Sequence, residues 1–130
     1  MITANISFLT STATVDLSQS PALVRKNLND IGVLTPTANI MLDNARTLKV
    51  ELYAEDNTGE NILSILDRST DTLGTLNRLC NNIQTLDYRD DKVFTEKLAD
   101  GGFSSLTDAL RMTEKLKEQR RIKNKREQVR

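Results

Sequence analysis

The sequence has no histidine and no tryptophan, a single cysteine and two prolines, and aromatic residues make up 4% of it. Each shortage closes a class of function or fold. Without histidine the chain lacks the commonest general base and the commonest metal ligand. Cys80 alone can form no internal disulfide, and a lone cysteine inside an apolar pattern reads as a small buried hydrophobe. With so few rings, Leu and Ile must supply most of the buried area. No apolar run approaches the roughly 18 residues that a membrane span needs. The start, MITANISFLTSTATVDLSQS, has neither the basic residues nor the apolar stretch of a Sec signal. The expectation is cytoplasmic synthesis without a membrane span, with incorporation into an extracellular particle or appendage left open.

The acidic groupings offer little chemistry. Glu55, Asp56 and Glu60 surround D-N-T-G-E, half of a calcium loop without its spaced acids or its closing Glu. Asp87, Asp90 and Asp91 alternate with Arg89 and Lys92, as in a solvated connector. No serine has a Lys three residues on, and Gly101-Gly102 lacks the remainder of a phosphate-binding loop. The sequence therefore predicts no cofactor, no metal and no catalytic set.

What is present is an uneven charge. Residues 111–130 carry nine Lys or Arg against three Glu, a net of +6, and residues 1–110 carry the balancing −6. The pattern divides into an extended Ser/Thr-rich arm at 1–19, a helical domain at 20–116 and a basic tail at 117–130. Ser20-Pro21 and Thr35-Pro36 are helix-start signals. A stripe of Met41, Ala45, Leu48 and Leu52 then predicts a second helix, with a strand over 47–54 as the alternative, since Leu48, Val50, Leu52 and Ala54 also alternate. Asn57-Thr58-Gly59 reads as a turn. Beyond it Ile62, Leu66, Ser69, Leu73, Leu76, Cys80 and Ile83 step 4-3-4-3-4-3, which predicts one continuous helix of about 40 Å. Ser104 or Ser105 caps a final helix whose buried face is Ala109, Met112 and Leu116, fraying after about residue 122. The fold class expected is mainly α, an elongated, coiled-coil-like bundle. The alternative is a small α+β domain with strands near 2–8 and 47–54.

In the tail, Lys117, Arg120, Arg121, Lys123, Lys125, Arg126 and Arg130 have no aromatic neighbour to stack on bases, and Glu118 and Glu127 interrupt them. Glu114 with Lys117, Glu118 with Arg121 and Glu127 with Arg130 are possible i,i+3 pairs. The functional expectation is a non-enzymatic assembly protein, by composition like a virion, appendage or secretion-machine component. It joins copies of itself or partner subunits through the seam of Ile62, Leu66, Leu73, Leu76, Cys80, Ile83, Met112 and Leu116. The tail meets an acidic protein surface. The alternatives are a nucleic-acid-binding accessory protein using the tail, and a chaperone or adaptor that holds a partner's helix.

Overall fold

Ile2, Ala4 and Ile6 are fully buried and alternate with half-buried Thr3, Asn5 and Ser7, so this stretch is a strand with one face to a core. The structure, a computed structural model, describes residues 1–43 and 47–128. Strand β1 (Ile2–Phe8) turns through Leu9, which takes the left-handed backbone (φ 55°), into the antiparallel β2 (Ser11–Asp16). On its other side β1 pairs antiparallel with β3 (Leu48–Ala54), giving the order β2-β1-β3. The outward face is polar, with rows such as Thr14-Asn5-Glu51.

Five α-helices accompany the sheet among the described residues: α1 (Pro21–Asp30), α2 (Asn57–Ser64), α3 (Leu73–Gln84), α4 (Tyr88–Ala99) and α5 (Leu106–Gln128). The architecture is thus α+β, which corrects the expectation of a mainly α elongated bundle and matches the alternative reading. Residues 1–19 are no free arm, because Val15 and Leu17 are as buried as the centre of β1. Thr35-Pro36 opens only a single 3-10 turn at Thr37–Asn39, and where the predicted helix ran through Leu48 and Leu52 the chain is instead β3. Ala45, in the predicted stripe, lies outside the described residues.

The continuous seam helix is also corrected. It is α2 and α3, separated by a polar turn. Asp67 accepts hydrogen bonds from the Ser69 amide (3.0 Å) and hydroxyl (2.6 Å), and Thr72 caps α3 by accepting from the Thr75 amide (3.2 Å). Short polar side chains offer the backbone such local bonds in place of helical ones. Asn57-Thr58-Gly59, read as a turn, is the first turn of α2, with Asp56 accepting from the Gly59 amide at 2.8 Å. A Cβ on Gly59 would lie 2.1 Å from the Met1 carbonyl oxygen, so glycine is what lets β1 start against this helix.

At the centre, Leu73, Leu76, Leu79 and Cys80 of α3 are fully buried, and α3 packs against α1, α5 and the 3-10 turn. Asn77, also buried, donates to the carbonyls of Leu17 (2.9 Å) and Gln19 (3.0 Å), which fixes the β2–α1 connection onto α3. Arg68 donates to the carbonyls of Leu42 (2.7 Å) and Val50 (2.8 Å) and ties the interhelical turn to β3.

Candidate functional site

Two antiparallel helices present the surface that the charge pattern pointed to. The segment Asp87–Asp91 is no loose connector: the Asp87 carboxylate accepts from the Arg89 amide (3.0 Å) and caps α4, with Asp90 and Asp91 in its first turn. Acids there complement the positive end of the helix dipole. At the far end of α4, the Gly101 amide donates to Leu98 (3.2 Å) and the Gly102 amide to Lys97 (2.9 Å), with Gly101 at φ 75°. This pair of bonds closes a helix while satisfying its last carbonyls. The Ser105 hydroxyl then accepts from the Asp108 amide (3.2 Å) and starts α5, while the Ser104 hydroxyl donates to the Asp108 carboxylate.

The root of α5 is apolar. Leu106, Ala109, Leu110 and Thr113 are buried, whereas Met112 and Leu116, expected on that face, are only half-buried. Further along, attachment becomes polar. Arg78 pairs with Glu114 (2.5 Å), Lys117 donates to the Thr85 hydroxyl, and Arg120 lies 3.5 Å from Asp87 and 3.6 Å from Asp90. Of the i,i+3 pairs expected within the tail, Glu118–Arg121 forms, and this hydrogen bond lowers the Glu118 carboxyl pKa and raises that of Arg121. Glu114 turns to Arg78 instead, and Arg130 lies outside the described residues.

Past Arg120 the helix leaves the body. Residues 121–126 are all exposed, and the helix continues to Gln128 rather than fraying near 122. Among the described residues, Lys123, Lys125 and Arg126 have no ion-pair partner within salt-bridge distance. The tail is thus divided: Lys117 and Arg120 are spent on this chain's own surface, Arg121 on Glu118, and Lys123, Lys125 and Arg126 are displayed.

The seam residues fall elsewhere. Ile62, Leu73, Leu76, Cys80 and Ile83 are interior to this chain, and Leu66 is half-buried. Burial pushes the Cys80 thiol up to about 12. Asp56 caps α2 and lies 3.4 Å from the Met1 ammonium. Asp91 borders a polar cleft with Thr58 and Thr95, and burial raises its carboxyl above the usual range. No group of three or more Cys, Asp or Glu among the described residues is arranged to hold a metal, and no helix there is long and apolar enough to cross a membrane.

A second feature was not foreseen. Between the α4 end and α5 lies a groove of about 480 Å³, lined by Phe103, Met112 and Leu116 and rimmed by Lys97, Arg111 and Lys115. Lys97 holds its ammonium 5.0 Å from the centre of the Phe103 ring. A Cβ on Gly102 would come within 2.5 Å of the Lys97 side chain and 2.9 Å of the Lys97 carbonyl oxygen, so Gly102 is what allows that stem to lie there. The sequence signal was Gly101-Gly102 followed by an aromatic, a pair weighed above only against a phosphate-binding loop. Comparison with family models, curated proteins and solved structures finds no match to this chain.

Proposed function

We propose that this chain is a non-enzymatic assembly or adaptor protein that uses the projecting end of α5 to join an acidic protein surface. The observation that carries this reading is the division of the tail. Lys117 is held by the Thr85 hydroxyl and Arg120 is paired with Asp87 and Asp90, whereas Lys123, Lys125 and Arg126 are exposed and, among the described residues, have no carboxylate within ion-pair distance. Ordered, unpartnered cations on a helix are a surface for opposite charge and supply speed and register of association more than raw affinity. The non-enzymatic part is supported by the absence of histidine and by the burial of the one thiol. Because Ile62, Leu73, Leu76, Cys80 and Ile83 are interior, self-association on this reading uses the helix end and not those residues.

The second reading, binding to nucleic acid, draws on the same exposed cations. It is disfavoured by the absence of an aromatic residue anywhere in 104–130. One set of measurements separates the two. Wild type and Lys123→Glu/Lys125→Glu/Arg126→Glu are compared for self-association by light scattering at low and moderate salt, for binding to an immobilised acidic model protein, and for binding to an oligonucleotide. The protein-docking reading expects the triple variant to lose salt-sensitive binding to the acidic protein, with oligonucleotide affinity weak throughout. Tight oligonucleotide binding that vanishes in the variant, with no protein binding, overturns it.

A further inference from the structure

We infer that the groove between Phe103 and α5 is a docking site for an acidic amphipathic helix of another protein. This concerns a separate surface from the displayed helix end and stands or falls independently of it. The argument begins with the lining. Met112 and Leu116 are four residues apart on α5, hence on one ridge of the helix, and Phe103 faces them from the loop. Between Asp108 and Gln119, the limits of the groove on α5, the helix rises about 16 Å, room for about three turns of a partner helix. A ridge of apolar residues at i, i+3/i+4 and i+7 is the shape that enters such a groove.

The rim then sets the charge of the occupant. Lys97, Arg111 and Lys115 are exposed, and among the described residues none has a carboxylate within ion-pair distance. The one acid of the lining, Asp108, is engaged by the Ser104 hydroxyl. Three unpaired cations around an apolar floor are complementary to Asp and Glu flanking an apolar stripe.

A second copy fits poorly. Among the described residues, the large exposed apolar side chains on this chain's own helices are Leu23, Tyr88, Val93 and Ile122. Leu23, beside Arg25 and Lys26, and Ile122, on the basic end, would bring cations to cations; Tyr88 and Val93 have Asp90 and Asp91 beside them, but they are five residues apart and so make no single stripe along α4. A nucleic acid does not fit either, because the only ring in the groove, Phe103, is 6% exposed and has Lys97 over it, so no base can stack there.

The test uses the full chain and a fluorescein-labelled model peptide of about five helical turns, Leu on one stripe and Glu elsewhere. Its controls are the same composition scrambled, the same stripe with Lys in place of Glu, and a single-stranded oligonucleotide. Binding is read by fluorescence anisotropy. The amphipathic acidic peptide is expected to bind better than all three, and Lys97→Glu/Lys115→Glu to weaken it about tenfold or more. Met112→Glu is expected to do the same through the floor. Should that variant lower the melting temperature, the exposed Lys97→Glu/Lys115→Glu pair carries the test alone. Lys123→Glu/Lys125→Glu/Arg126→Glu is expected to leave this binding within about twofold. Equal binding of the scrambled peptide, wild-type affinity in the rim variant, or loss in the helix-end variant alone each overturns the groove. The last of these leaves the helix-end reading intact.

Discussion

Cys80 is 0% exposed, and desolvation holds its thiol protonated up to about 12. A buried thiol is a poor nucleophile, because the thiolate is the reacting form. Its reaction with a thiol-specific dye at mildly alkaline pH should therefore be absent in native buffer and complete in denaturant. A prompt native reaction would refute the packing described. The same burial has a pH consequence. The folded thiol keeps its proton above the ordinary value of 9.0, whereas the unfolded chain releases it there. Stability should therefore fall as pH rises from about 9 toward 12, and Cys80→Ala should flatten that part of the denaturation profile. The burial of Cys80 was legible from its place in an apolar stripe. The role of Asn77 was not, since its partners Leu17 and Gln19 lie 60 and 58 residues away, and nothing in LNRLC names them.

Among the elements, periodicity misled where two helices happened to keep one phase. The 4-3 spacing of apolar residues survives from Ile62 to Ile83, yet the segment between Leu66 and Leu73 is Asp-Arg-Ser-Thr-Asp-Thr. Its turn and capping bonds, at Asp67 and Thr72, outweigh the one heptad position it contributes, Ser69. Residues 48–54 alternated as a strand should, but a strand is stabilised by a partner distant in sequence, here β1. The start signal at Thr35-Pro36 is local, and it opens only the 3-10 turn at Thr37–Asn39. Gly74 admits the 3-10 turn at close range: a Cβ there would sit 2.8 Å from the Ala38 backbone nitrogen and 3.0 Å from the Thr37 carbonyl carbon. Helix propensity alone would make Gly74→Ala stabilising by about 1 kcal/mol. The clash with rigid backbone should reverse the sign, for a net loss of about 1–3 kcal/mol in urea denaturation. A gain would mean that the 3-10 turn retreats freely.

For the molecule as a whole, the charge map was legible, and the topology only as the alternative reading, in which strands near 2–8 and 47–54 belong to a small α+β domain. A −6 body with a +6 end follows from counting, but that Arg120 would return to Asp87 and Asp90 depends on α4 and α5 lying antiparallel. The N-terminal residues looked like an arm because their burial partners are strands and helices far along the chain. Making them a sheet has a consequence for the behaviour of concentrated protein. The Leu17 amide bonds to the Ile2 carbonyl, so by alternation Thr12, Thr14 and Asp16 turn their backbone groups to the open side of β2. From Ser11 to Val15 that margin carries no Lys, no Pro and no charge, the devices by which sheets usually discourage edge-to-edge growth. With zero net charge to keep copies apart, β2 is where misassociation would nucleate on prolonged storage or heating. Thr14 is exposed, and its hydroxyl donates to Asn5 across the outer face. Thr14→Lys should therefore cost little stability and lengthen the lag before turbidity or thioflavin fluorescence appears. An unchanged lag would place the growth point on another part of the surface.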